Sequence, residues 1–356
     1  METKILTIGK SDPPECVAEK LACAGSIIRQ GGLVAFPTET VYGLGGDALN
    51  PQSSRKIYAA KGRPGDNPLI VHIADMAHLG RIVRAIPERA QKLADAFWPG
   101  PLTLIFEKAA VVPDQTTGGL DTVAVRMPGH LLARRFIQEA GGYVAAPSAN
   151  LSGKPSPTLA KYVIQDMDGR IDMIIDAEGV EIGLESTIVD VTCEVPMILR
   201  PGFITQQMLS GVVGDTDMDV TVYDSGSAQA PRAPGMKYRH YAPRGELVIV
   251  DGEPNGVVRY INEQAALHEA QGMRTGVIGT EGRLAQYRAS SVKNAGDGND
   301  FRTVAGQLYT FLREFDDEEI SYIYAESFAE AFEYRGFGQA VMNRLLKAAG
   351  HRVIHV

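Results

Sequence analysis

No apolar run in the chain approaches the roughly 18 residues that a membrane-spanning helix requires, so no membrane span is expected. Cysteine is nearly absent: Cys16, Cys23 and Cys193 are odd in number and none forms a C-x-x-C pair. That excludes zinc-finger and dithiol redox sites, and the three are expected as buried small hydrophobes. There is no excess of positive charge either. Thirty-five Lys and Arg stand against 43 Asp and Glu, a net charge of −8, with an isoelectric point near 5.5. A surface built to wrap nucleic acid is thereby disfavoured, although a local basic groove remains open. The N-terminal METKILTIGKSDPPE has neither a long apolar core nor an A-x-A site, so a secretory signal is not expected and the cytoplasm is. The Walker pattern is missing as well. Gly9-Lys10-Ser11 has Lys4 where the first glycine belongs, and Gly153-Lys154 is followed by Pro155, so an ATP here would not sit in a P-loop.

What remains is an ordinary globular composition, 44% hydrophobic and 22% charged over 356 residues, long enough for two domains that each bury a core. Residues 14–30 space Val17, Leu21, Ala24 and Ile28 at helical intervals and stop at Gly31-Gly32. Further helices are expected over 87–97 and 131–140. Strands are expected over 33–36, 69–73, from Leu102, and over 122–127, 143–146, 171–175, 187–191 and 197–199. Trp98 reads as a core or corner residue. Helices and strands mix without a regular repeat, which predicts an α/β sheet with both parallel and antiparallel pairs. Residues 214–245 lose periodicity and read as a linker. Beyond them strands (246–250, 276–279, 320–325) alternate with helices (256–270, 301–315, 337–349). That order predicts a small open, Rossmann-like α/β domain. The domains are therefore 1–213, a linker 214–245, and 246–356.

Unusual residue choices concentrate in GGLVAFPTETVYGLGGDALNPQSSRKIYAAKGRPGDNPLIVH, residues 31–72. Pro37 cannot donate to a ladder, so the chain leaves the sheet there. Thr38, Glu39, Thr40, Tyr42 and the flexible Gly43, Gly45 and Gly46 follow, at a strand end where α/β sites form. Lys61, Arg63 and Asn67 then precede the strand carrying His72. Read alone, these are ordinary loops, and His72 on an apolar strand is a core histidine. Segments 145–158 (APSANLSGKPSPT) and 184–191 (LESTIVDV) have the same hydroxyl-rich character.

FPTETVYGLG, KGRPGDNPLIVH, WPGPLTLIF, VAVRMPGH, APSANLSGKPSPT, ESTIVD and ILRPG occur in that order. Together they resemble the YrdC-type threonylcarbamoyl-AMP synthases from about residue 10 to 210, and the tail after PGMKYRHYAP resembles the longer two-domain form. The resemblance implies a YrdC-type twisted mixed sheet with flanking helices and a nucleotidyltransferase. Such an enzyme condenses L-threonine, bicarbonate or CO2, and ATP to threonylcarbamoyl-AMP and pyrophosphate, for tRNA threonylcarbamoyladenosine modification by downstream machinery. It implies Lys61 and Arg63 as the catalytic cations on the phosphates, Arg63 also binding ATP with Asn67, Thr122, Ser148, Asn150, Ser156 and Arg200. Thr40, His72, Arg126, Ala146 and Ser186 match threonine-site positions, with Arg126 set against the carboxylate because a planar guanidinium holds both oxygens. Mg2+ is expected on the phosphates, with no protein metal site assigned, and Glu39 and Glu185 are candidate bases or magnesium partners. The linker stretch PRAPGMKYRHYAPRG, 231–245, gathers Arg232, Lys237, Arg239, His240 and Arg244 in an acidic chain. A lid over the nucleotide is expected, with Tyr238, His240 and Tyr241 as contacts. Two alternatives stand beside this reading. One is a double-stranded RNA-binding or ribosome-associated module, against which the acidic balance counts. The other is a carbamoyl-adenylate-forming enzyme of hydrogenase-maturation type, whose zinc fingers three scattered cysteines cannot supply.

Overall fold

Pro14 opens the first helix, where its missing N–H costs nothing. The helix Pro14–Arg29 buries Leu21, Ala24, Gly25 and Ile28. Gly25 is required by close packing: a Cβ there would lie 2.5 Å from the backbone carbonyl carbon of Glu139, at the end of the helix Leu131–Glu139. The computed structural model describes residues 2–219, 240–296, 300–328 and 336–356. The chain divides into two compact units, Met1–Ser152 with Ser156–Lys237, and Gly153–Pro155 with Tyr238–Val356. No described helix is long and apolar enough to cross a membrane.

The strands of the first unit are β1 (Lys4–Ile8), β2 (Val34–Phe36), β3 (Gly43–Asp47), β4 (Ile70–Ile73), β5 (Leu102–Glu107), β6 (Thr122–Arg126), β7 (Tyr143–Ala146), β8 (Met173–Ala177), β9 (Thr187–Asp190), β10 (Met197–Arg200) and β11 (Asp217–Met218). They form one sheet in the order β1-β8-β2-β3-β7-β4-β6-β5-β9-β10-β11. β4 and β6 pair parallel while β5 and β6, and β4 and β7, pair antiparallel, so the sheet is mixed, as expected.

One face carries Val71, Leu104, Val125 and Val189, packed with Ile57 and Tyr58 of the helix Pro51–Lys61 and Leu93 of the helix Glu88–Phe97. The other face is divided. On β2, β7 and β8 it is covered by the helices 14–29 and 131–139 through Leu21, Ile28, Phe136 and Ile137. On β4, β5, β6, β9 and β10 it carries a separate cluster, Ile70, Ile105, Ala124, Ile188 and Leu199, made of strand residues alone. Trp98 is 7% exposed within the main core and donates its indole N–H to the Leu102 carbonyl at 2.6 Å.

Four expectations need correction. Gly43–Asp47 is a strand, not a flexible loop; its glycines admit a tight neighbour, since a Cβ on Gly45 would fall 2.8 Å from Val144 Cγ1. Lys61 ends a helix capped by Asn50 at its start and by left-handed Gly62 at its end, and so is not a loop cation. The strand expected over 171–175 is Met173–Ala177. Cys23 and Cys193 are exposed and Cys16 is intermediate; no apolar cluster claims them, so they are not buried hydrophobes.

In the second unit β12 (Glu246–Asp251), β13 (Thr275–Gly279), β14 (Ser291–Asn294), β15 (Tyr322–Glu326) and β16 (Val353–His355) form a sheet in the order β14-β13-β15-β12-β16. Every pair is parallel, which requires crossover connections. The helices Pro254–Glu269 and Phe301–Asp317 supply two of them. Within the segment read as a linker, Asp217–Met218 pairs with Met197–Ile198. Residues 220–239, which include Arg232, Lys237, Tyr238 and Arg239, lie outside the described residues.

Candidate active site

Residues directly opposite each other in a ladder point to the same face of a sheet. One cross-strand row of the first unit reads Val144, His72, Arg126, Thr103, Ile188 and Arg200, across β7, β4, β6, β5, β9 and β10. Three candidate residues from distant segments, His72, Arg126 and Arg200, therefore stand in one line on one face. The neighbouring row, Ala146, Ile70, Ala124 and Ile105, supplies the small apolar floor beside them.

Arg126 is the centre of the row and is 4% exposed. Its Nη1 donates to Thr40 Oγ1 at 2.9 Å and its Nε to the Gly100 carbonyl at 3.3 Å. Nη2 forms an ion pair with Glu39 Oε1 at 2.7 Å, while Glu39 Oε2 is buried and makes no hydrogen bond. Thr40 Oγ1 is in turn 2.9 Å from Thr38 Oγ1. Burial pushes the Glu39 carboxyl up, but the charge of Arg126 and the Gly129 N–H outweigh it, so the net shift is downward and Glu39 is ionised. His72, beside Arg126, is pushed down to about 3 by burial and then by that same positive charge. It is a neutral imidazole, its Nδ1 3.1 Å from the Ile70 carbonyl.

Thr103 extends the line. Its Oγ1 is 2.7 Å from Ser186 Oγ, and Arg200 donates to the Ser186 carbonyl at 3.0 Å and to Ser186 Oγ at 3.2 Å. One residue back, Glu185 Oε1 accepts from Ser156 Oγ at 2.6 Å. Lys61, 2% exposed, reaches from its helix end to the carbonyls of Ser148 at 2.6 Å and Asn150. Ser148 itself bonds Asn150 Oδ1 and bridges to Gly43. Arg63 donates to Asn67 Oδ1 at 2.6 Å and to the Pro68 carbonyl at 3.0 Å.

The register thus lines up His72, Arg126 and Arg200, hydrogen bonds tie Thr40 to Arg126 and Ser186 to Arg200, and Ala146 lies one row away. Lys61, Ser148 and Asn150 form a second knot, and Arg63 with Asn67 a third. Thr122 stands four residues from Arg126 on β6, about 13 Å along the strand, and extending the β4–β6 register sets it level with Pro68. Tyr241 belongs to the second unit, its ring stacked on Tyr309 at 5.2 Å, with His240 tilted against it. Sequence reasoning missed Thr103, although a lone hydroxyl in the apolar LTLIF was the available signal. Among the described residues no group of three His, Cys, Asp or Glu could hold a metal ion.

Residues 26–202 match the Sua5, YciO and YrdC family model, described as telomere recombination. Residues 204–350 match the C-terminal domain model of threonylcarbamoyl-AMP synthase. The threonylcarbamoyl-AMP synthase of Bacillus subtilis strain 168 is 46% identical over 99% of this chain and 100% of its own length. The chain belongs to the threonylcarbamoyl-AMP synthase family. Like that family it is an enzyme, a nucleotidyltransferase that forms an AMP-linked product with ATP as substrate, and its two α/β units are those of the two-domain synthases. The solved structure of Pyrococcus abyssi Sua5 complexed with L-threonine superposes with a TM-score of 0.91 at 45% identity, covering 99% of this chain and 100% of that one. A form of the same P. abyssi protein with an adjacent His and Tyr both changed to Ala matches at TM-score 0.91 and 44% identity, over 99% of this chain and 98% of that one.

Proposed function

We propose that this synthase joins the amine of L-threonine to CO2 with loss of a proton, or to bicarbonate with loss of water, giving N-carboxythreonine, whose carboxylate oxygen attacks the α-phosphorus of ATP. The bond to the β-phosphate breaks and pyrophosphate leaves. The observation that carries this reading is the buried Arg126 with Thr40 and neutral His72 on a strand-only face. It suits one carboxylate, with hydroxyls around it and no Cys-His or Ser-His hydrogen bond beside it among the described residues.

In this reading Arg126 holds the threonine carboxylate, with Thr40, His72, Ala146 and Ser186 around it. Because His72 is neutral, it leaves the anion to the arginine. Lys61 and Arg63 neutralise phosphate charge as pyrophosphate departs, and Asn67, Thr122, Ser148, Asn150, Ser156 and Arg200 hold the nucleotide. The acyclic cradle of scattered side chains stands in for the missing P-loop. Mg2+ would travel on the phosphates and their waters, as it commonly does where a protein offers few carboxylates. Glu39 and Glu185 are already engaged, by Arg126 and Ser156, which argues against either as a metal ligand.

His240 and Tyr241 are the described residues of the stretch 231–245 that this reading assigns to the nucleotide. Two points support them: this chain's only His-Tyr pair is 240–241, and Tyr241 holds a left-handed φ of 65°, a conformation costly for a non-glycine residue. The product would pass to the machinery that modifies tRNA, and the cytoplasm is the compartment this implies. The test is incubation with ATP, L-threonine and labelled bicarbonate, following pyrophosphate and a labelled adenylate. Pyrophosphate release should need threonine and bicarbonate together; release at the same rate without either would overturn the mechanism.

A further inference from the structure

Glu39 is held at both its main chain and its carboxylate, and the scheme above gives it no task. Its backbone carbonyl accepts from the N–H groups of Glu181 at 3.1 Å and Ile182 at 2.9 Å, and its Oε1 accepts from the Gly129 N–H at 2.9 Å. Gly129 lies in the MPGH turn. The WPGP turn supplies the Gly100 carbonyl that receives Arg126 Nε, and the Gly100 N–H donates to the Met127 carbonyl at 2.8 Å. Two Pro-Gly turns far apart in sequence are thus zipped together, one holding Glu39 and the other Arg126. A cation on a long side chain has many rotamers; here the anion beside it is held by one backbone donor on its carboxylate, from Gly129, and two on its main-chain carbonyl.

The geometry points to Glu39 as the positioning residue of Arg126. It sets the guanidinium: Nη1 binds Thr40, Nε binds Gly100 and Nη2 faces Glu39 Oε1 at 2.7 Å, which leaves the second N–H of Nη1 and of Nη2 for the substrate carboxylate. Without that anion the guanidinium loses the partner that fixes its plane. Its fork then ceases to match a carboxylate. The inference rests on the reading of Arg126 as the threonine clamp, and it adds the residue that makes the clamp selective in direction.

The experiment measures threonine and ATP KM, and kcat, for wild type, Glu39→Gln, Arg126→Lys, Arg126→Ala and the double variant Glu39→Gln/Arg126→Ala, each checked for folding by thermal unfolding. Glu39→Gln keeps the acceptor for Gly129 and removes the charge. It should raise threonine KM tenfold or more while ATP KM stays within twofold, and it should add nothing in the Arg126→Ala background, because an effect exerted through one partner is non-additive. An additive effect, or equal changes in both KM values, overturns the positioning role. If Glu39→Gln does not fold, Glu39→Asp keeps the charge but draws it back from Arg126, and should show the same threonine-only rise; unchanged threonine KM there overturns the role too. If Arg126→Lys weakens threonine and Glu39→Gln does not, this inference alone fails. If Arg126→Lys leaves threonine unaffected, the clamp reading itself fails.

Discussion

His72 is a neutral side chain in a place where its charged form is excluded from both sides, by burial and by Arg126. The consequence for stability has a definite sign. An unfolded histidine titrates near 6.5, so between that value and about 3 the unfolded chain binds a proton that the folded chain refuses. Stability therefore falls as pH drops through this window, by up to about 1.4 kcal/mol per pH unit. His72→Gln should remove that slope: between pH 7 and pH 5 wild type should lose about 2 kcal/mol more than the variant in urea unfolding. Equal losses would mean the imidazole is protonated in the folded state. Its type and position were legible in sequence, on the strand read over 69–73; its neutrality was not, because Arg126 comes beside it only through the β4–β6 register.

At the scale of elements, the long amphipathic helices and the apolar strands were legible because burial on one face leaves a period in the sequence. The helix expected over 14–30 is Pro14–Arg29 and the strand expected over 143–146 is Tyr143–Ala146. β3 was not legible, since GLGGD carries turn residues and little β-propensity. It is a strand because Phe36 and Val144 need the space that side chains would fill. A Cβ on Gly45 would sit 2.8 Å from Val144 Cγ1 and 3.1 Å from Phe36 Cε1, so Gly45→Ala should cost about 1–3 kcal/mol by overpacking. Gly65→Ala is the control, with nothing within 4 Å of the added methyl, and should stay within about 0.5 kcal/mol. The two variants unfolding at the same denaturant concentration would refute the packing argument. The same loss of signal hid the helix Pro51–Lys61, whose mean hydropathy is low and whose buried positions include Ser53 and Ser54.

For the whole molecule, the family resemblance supplied the site residues as a set to test, while the way they meet depends on contacts between segments more than 80 residues apart, such as Thr40 with Arg126. Sequence periodicity holds no record of such pairings. The proposed role of residues 231–245 is tested at this scale. If the segment closes over the nucleotide, ATP with threonine should protect it from limited proteolysis. A chain truncated after Gly214 should then lose activity or release AMP. Equal cleavage with and without ligands, together with full activity of the truncated chain, would reduce the segment to a spacer.

The line from His72 through Arg126 and Thr103 to Arg200 has one more consequence. Its members are spaced by hydrogen-bonded strands, about 4.8 Å per step, so Arg126 and Arg200 are held three steps apart, roughly 14 Å. Side-chain substitutions can weaken either anchor, but they cannot alter the interval between them, which belongs to the peptide backbone. The sheet acts as a ruler. The register irregularity between Ile198 and Arg200 decides which residue of β10 stands at the far mark, so a one-residue insertion or deletion there would turn Arg200 to the other face and remove that anchor while leaving the interval itself unchanged.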